Sequence, residues 1–329
     1  MIHLSRCHAL GRAALAALVL SCGLAHAAGT VGSTLPQDFP VIRDASLGMP
    51  LLGFGAPGPV ERTPVVFVHG NNDTPFATAC NPYGRMQALA QYLADAGYST
   101  SELWGVGYQG DQCDLLADPT IRSSQAHTAG ANVADVGSFI EAVLQYTHAS
   151  RVDIVGHSLG VVVVREWLRQ NPRMLRSVHR SVAIAGANHG IINCSPSPLN
   201  YWQAPANGGF TPDSAICQEL GSPHTPFLQQ LNKHEAFASL RTLVIRNADQ
   251  SFVYFPLQDG VLPGVPAIDS FGDPTDFSGS ARLRHARELN LTGQGIYDPL
   301  LLTSHLGILN SPDTWRATFE FLSTRAQLP

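Results

Sequence analysis

A chain of 329 residues that is 44% hydrophobic and 14% charged can bury a large core, and a formal net charge of −5 leaves no basic surplus. Nucleic acid is therefore excluded as an expected partner. No internal repeat or low-complexity tract calls for more than one α/β domain with insertions.

Residues 1–27 read as a signal peptide: Arg6 and Arg12 lie in the first stretch, Ala13 to Ala25 is uncharged and apolar, and Ala25-His26-Ala27 has the small-x-small form of a cleavage site. The mature chain is expected to start near Ala28 and to be secreted or periplasmic; Val19-Leu20-Ser21-Cys22 keeps a lipoprotein anchored at Cys22 as the alternative. No run reaches membrane length. Beyond the leader stand Cys80, Cys113, Cys194 and Cys217. Cys80 with Cys113 and Cys194 with Cys217 is the pairing that makes the least topological demand, since each pair brackets one local unit. Neither a C-x-x-C pair nor clustered histidines suggest a metal site.

Residues 28–62, rich in Gly and Pro, read as an arm lying over the domain, and Leu51 to Gly58 is not expected to hold a helix or central strand. The α/β domain is expected over 63–329. Val65-Val66-Phe67-Val68 is the continuous apolar strand of a buried parallel sheet and ends abruptly at His69-Gly70. Helical spacing follows over Pro82 to Gly97, a strand over Ser99 to Tyr108, and the longest helical pattern over Ala126 to His148. Further strands are expected at Val178 to Ala187, Leu240 to Arg246 and Ala286 to Leu291, with helices at Pro226 to Ala238 and Ser311 to Arg325, the last with Ser311 as N-cap. Between them, residues 191–224 break every periodic rule. They read as a disulfide-braced cap insertion whose Tyr201, Trp202 and Phe210 either contact an apolar substrate or fill a local core.

The chemistry centres on Val152-Asp-Ile-Val-Gly-His-Ser-Leu-Gly160, a short apolar strand that runs into G-x-S-x-G. In that turn the serine is held in a strained conformation between strand and helix, with glycines where side chains would collide. The motif requires Val161-Val162-Val163-Val164 to be helical against their β propensity. A serine hydroxyl needs a base, and the base an orienting acid, at the carboxyl ends of strands in the order Ser, acid, His. Ser158, Asp249 and His305 meet that order, while Asp259 and Asp273 remain open as acids because their loop could swing back. The Asn71 and Leu159 backbone N–H groups are the expected oxyanion hole, and His69 is expected to serve the loop rather than the chemistry.

The segments Val66-Phe-Val-His-Gly70, Val152 to Gly160, Asn247-Ala-Asp249 and His305-Leu-Gly-Ile-Leu309 resemble the class 2 lipases. His69-Gly-Asn-Asn-Asp73 and Gly97-Tyr98 also resemble the lipase-like extracellular poly(3-hydroxybutyrate) depolymerases, although those favour an Ala-His-Ser-Met-Gly elbow. The resemblance spans residues 62–325. It implies an α/β-hydrolase fold, with a mostly parallel sheet between two helical layers, and a cofactor-independent serine esterase acting on apolar or insoluble esters. Polyester depolymerase is the alternative substrate reading, and a non-catalytic binding protein on the same scaffold or an amidase are the competing classes.

Overall fold

The structure is a computed structural model and describes residues 29–324 apart from 119, 122–123, 125–126, 197, 199, 201–202, 205–208, 234–239, 248–266, 278 and 292–303. Its strands are β1 (Leu52–Phe54), β2 (Val65–Val68), β3 (Leu103–Gly107), β4 (Val152–His157), β5 (Val178–Ile184), β6 (Arg241–Asn247) and β7 (Arg287–Leu291). They form one sheet in the order β1-β3-β2-β4-β5-β6-β7. Only the β1–β3 pairing is antiparallel, so this is the mostly parallel α/β-hydrolase sheet that the sequence implied. The helices are α1 (Arg85–Asp95), α2 (Asp114–Ala117), α3 (Ala129–Thr147), α4 (Leu159–Gln170), α5 (Ala215–Leu220), α6 (Pro226–Asn232), α7 (Ser304–Gly307) and α8 (Pro312–Ser323).

Two apolar layers cover the sheet, and the two-residue period of β2 divides its side chains between them. Val66 and Val68 join Trp104, Ile154 and the inner faces of α3 and α4. Val65 and Phe67 join Leu103, Val155 and the inner faces of α1 and α8. All four β2 side chains are fully buried. At about 1.5–3 kcal/mol for each large apolar side chain buried, this decides conflicts with local preference. Such a conflict arises in α4, where every residue from Leu159 to Leu168 is buried. Four valines in succession disfavour a helix by less than about 1 kcal/mol each, well below what their burial contributes.

The arm is docked by Phe39, which stacks on Trp104 at 5.2 Å and meets Phe139 at 5.5 Å. Within the stretch not expected to hold a helix or central strand, Leu52–Phe54 adds β1 at the edge of the sheet. It is a three-residue edge strand, the position where a Gly- and Pro-flanked segment is tolerated. The buried Asp44 carboxylate knots the arm, accepting from the Ser46 and Leu47 N–H groups at 2.8 Å and from the Gln109 N–H at 3.1 Å. In α8, Ser311 stands at the N-cap as expected, yet its side chain makes no capping hydrogen bond.

The insertion between β5 and β6 is braced by Cys194–Cys217, and Cys80–Cys113 closes the other bridge. Phe210, one of the aromatics considered for substrate contact, is buried in the main core with Ile191, Ile192, Ile216 and Leu220. Burial of so large a ring beneath the bridge outweighs exposing it at a surface. Tyr201 and Trp202 lie outside the described residues, as do residues 1–28 with Cys22. Glu219 of α5 ties the insertion to the sheet-covering layer by accepting the Ala129 and Gly130 N–H groups at 2.6 and 3.0 Å. A carboxylate at the positive end of α3 satisfies two otherwise orphaned amide donors.

The bridges close loops with sequence separations of 33 and 23 residues. In the chain-entropy account each stabilises by about 3–4 kcal/mol. Non-reduced peptide mapping should therefore recover Cys80 joined to Cys113 and Cys194 joined to Cys217, and reduction should lower Tm by several degrees or more. A crossed pairing, or an unchanged Tm after full reduction, would contradict the observed placement.

Candidate active site

Register brings the site together. Val68, the last residue of β2, pairs with Gly156 of β4, so the chain leaving β2 through His69 and Gly70 runs beside His157 and Ser158. Close approach is possible because both crossing points are glycine. A Cβ on Gly160 would lie 2.4 Å from the His69 carbonyl oxygen and 2.5 Å from that of Val68, and one on Gly70 would lie 3.0 Å from Ser158 Cβ.

Ser158 stands between β4 and α4 with φ 52° and ψ −121°. A left-handed φ is sterically unfavourable for a residue with a Cβ and costs on the order of 1–3 kcal/mol, so the surroundings must enforce it. The Ser158 N–H donates to the Ile184 carbonyl of β5 at 3.0 Å, and the helix takes up behind it with Val161 N–H on the Ser158 carbonyl at 3.2 Å. Leu159 is the first residue of α4, and its N–H belongs to the first turn, whose donors have no acceptor within the helix. Asn71 lies next to Gly70 in the facing loop, and no described residue accepts its backbone N–H.

His305 reaches this point from α7. Its Nε2 lies 2.9 Å from Ser158 Oγ, and both residues are buried. Burial, with His157 and Arg85 nearby, holds the His305 pKa well below the ordinary histidine value. The imidazole is thus neutral, the form that can accept a proton. Of the carboxylates considered as its orienting partner, Asp249 and Asp259 lie outside the described residues, and Asp273 is exposed. Asp269 is buried but engaged elsewhere, accepting from Ser222 Oγ at 2.6 Å and from two loop N–H groups.

Neighbouring histidines do other work. His157 Nε2 lies 2.9 Å from the His305 carbonyl oxygen, which can only accept, so this nitrogen carries the proton. Burial depresses the His157 pKa to about 4, and its ring packs 4.7 Å from that of His305. Sequence reading passed over His157 because the second position of G-x-S-x-G is nominally free. His69 stacks on Tyr108 at 4.2 Å, donates Nδ1–H to the Gly70 carbonyl at 2.7 Å and has its own carbonyl held by the Tyr108 hydroxyl at 2.5 Å. Gln109 was also passed over. It hydrogen-bonds both Asn71 and Asn72 from the loop after β3, a contact for which its sequence position carries no motif. Among the described residues no group of three or more His, Cys, Asp or Glu side chains could hold a metal ion.

The family model for lipase (class 2) matches residues 62–255, more than half of the chain. No curated protein sequence matches significantly. Among solved structures, the mature lipase BlEst2 of Bacillus licheniformis is similar at 18% identity and a TM-score of 0.54, with 83% of this chain and 98% of that chain covered. Its propeptide form gives 18% identity and a TM-score of 0.50 over 85% of this chain and 54% of that one. Aspergillus fumigatus lipase B gives 17% identity and a TM-score of 0.47 over 80% of this chain, which spans 53% of that chain's length. At these identities the structural likeness speaks for the fold.

The crossing at Gly160 generates a stability test. Gly160→Ala would force its methyl against two backbone carbonyls, which cannot rotate away as a side chain can. Overpacking of this kind destabilises by about 1–3 kcal/mol. Gly32→Ala, where a Cβ meets nothing within 4 Å, should stay within about 0.5 kcal/mol of the parent. Urea unfolding of both variants checks the difference, and equal midpoints would contradict the close crossing.

Proposed function

The chain belongs to the lipase (class 2) family, and from that premise we propose that it is an exported serine carboxylic-ester hydrolase with Ser158 as nucleophile and His305 as base. The observation that carries the proposal is the serine hydroxyl held at a left-handed elbow, 2.9 Å from a buried, neutral imidazole.

In this reading His305 Nε2 accepts the Ser158 proton as Oγ attacks the ester carbonyl carbon. The negative charge that develops on the carbonyl oxygen is taken by the Asn71 and Leu159 backbone N–H groups, the second helped by the positive end of α4. Collapse of the tetrahedral adduct breaks the bond to the alcohol oxygen, which leaves with the proton held by His305. Water, deprotonated by the same imidazole, then releases the acid and regenerates Ser158. Asp249 is proposed as the group that orients His305, because in sequence it follows by two residues Asn247, where β6, the strand paired with β7, ends. The proposed substrates are apolar or water-insoluble esters; the resemblance of His69-Gly-Asn-Asn-Asp73 to the depolymerases makes polyhydroxyalkanoate the alternative to triglyceride. Activity on triglyceride emulsion against amorphous polyhydroxyalkanoate film separates the two. Two disulfides fit an oxidising destination.

Ser158→Ala should lower kcat for p-nitrophenyl butyrate by roughly 10³-fold or more while the melting curve is retained. Asp249→Asn should lose several orders of magnitude through the wrong histidine tautomer, whereas Asp273→Asn should match the parent. Full turnover in Asp249→Asn would move the acid elsewhere. The pH dependence follows from His305, whose folded pKa is lowered from 6.5. The base works only when neutral, so kcat/KM should be level above pH 6.5 and fall as pH drops through the lower folded value. An acid limb centred above pH 7 would contradict the assignment.

A further inference from the structure

The hydrogen bonds of Gln109 fix the orientation of a second amide, that of Asn71. The Asn72 backbone N–H can only donate, and it lies 3.1 Å from the Gln109 side-chain oxygen. That contact settles which end of the Gln109 amide is oxygen, so its Nε2 is the end that meets Asn71, at 3.1 Å. An NH₂ group can only donate, so the Asn71 atom facing it must be Oδ1. Asn71 Nδ2 is thereby turned away from the clamp. It is buried and has no hydrogen-bond partner among the described residues.

An orphaned buried donor is unfavourable, and when one is found in a folded protein it calls for a reason. Here its backbone belongs to the loop whose preceding residue, Gly70, packs against Ser158 Cβ. We propose that the Asn71 side-chain Nδ2–H is a third oxyanion donor, which finds its acceptor only when the ester carbonyl oxygen becomes negatively charged. The proposal rests on the serine-hydrolase reading and deepens it by one catalytic residue. Gln109 is then a positioning residue, and the surrounding structure holds it firmly. It is buried, its φ is 69°, its N–H donates to Asp44 of the arm at 3.1 Å, and its carbonyl accepts from Gln112 Nε2 at 2.9 Å. Side-chain clamp and arm together keep the Asn71 amide from turning over. A donor fixed before charge develops needs no reorganisation at the moment of reaction.

The test uses Asn71→Asp, Asn71→Ala and Gln109→Glu, with active-site titration to count competent enzyme and a trifluoromethyl ketone as a probe that forms an oxyanion on Ser158. Loss of one oxyanion donor corresponds to roughly 10²–10³-fold in kcat. Asn71→Asp and Asn71→Ala should lose on that scale with KM little changed, and the ketone Ki should rise in proportion to KM/kcat. Gln109→Glu retains Asn71 but presents oxygen to it, so the Asn71 amide should turn its donors inward and kcat should fall in the same way. Asn71→Ala and Gln109→Met serve if a buried carboxylate prevents folding; the methionine variant frees the amide and should give an intermediate loss. Wild-type hydrolysis with Asn71 variants within twofold in kcat and ketone Ki would overturn the third donor and leave the serine-hydrolase reading standing. A wild type that neither hydrolyses esters nor binds the ketone would remove that reading and the proposal with it.

Discussion

The site depends on one steric constraint: the chain leaving β2 must cross the start of α4 at less than side-chain distance. Register aligns Val68 with Gly156, and the crossing then leaves no room for a Cβ on Gly160. With this contact come the left-handed Ser158 and the approach of Gly70, and so of the loop that carries Asn71, to the elbow. Remove the crossing and each of these groups still exists, but nothing aligns them. Apolar burial on both faces of the sheet supplies the stability that holds a strained residue in place.

Around that constraint, the electrostatics are those of a dry site. His69, His157 and His305 all have lowered pKa values, with burial the leading cause in each case. Their neutrality lets buried imidazoles stand close together without mutual repulsion. Backbone carbonyls fix the tautomers of His69 and His157, so that these two rings act as rigid struts. The arm, although remote in sequence, enters the same structure through Asp44 and Gln109.

Much of this was legible in the sequence, for identifiable reasons. The elbow was readable because its glycines, serine and flanking apolar strand are set by local sterics, and the four-valine helix followed once the motif was accepted over propensity. The disulfide pairing was readable because topology leaves one undemanding choice. Other features were hidden because they arise from tertiary contacts without a local pattern. Leu52–Phe54 becomes a strand only through its pairing with β3. Phe210 is decided by the core beneath it, His157 by the carbonyl of a residue 148 positions away, and Gln109 by a clamp assembled across two loops.

The central claim is that Ser158 forms a covalent acyl-enzyme. Rapid acid quenching of the protein during turnover of p-nitrophenyl butyrate, followed by peptide mass analysis, tests it most directly. The account predicts a burst of about one p-nitrophenol per active site if deacylation is slower than acylation, and in any case a butyryl group on the peptide containing Ser158. Sustained hydrolysis with the acyl group on a different residue would contradict it.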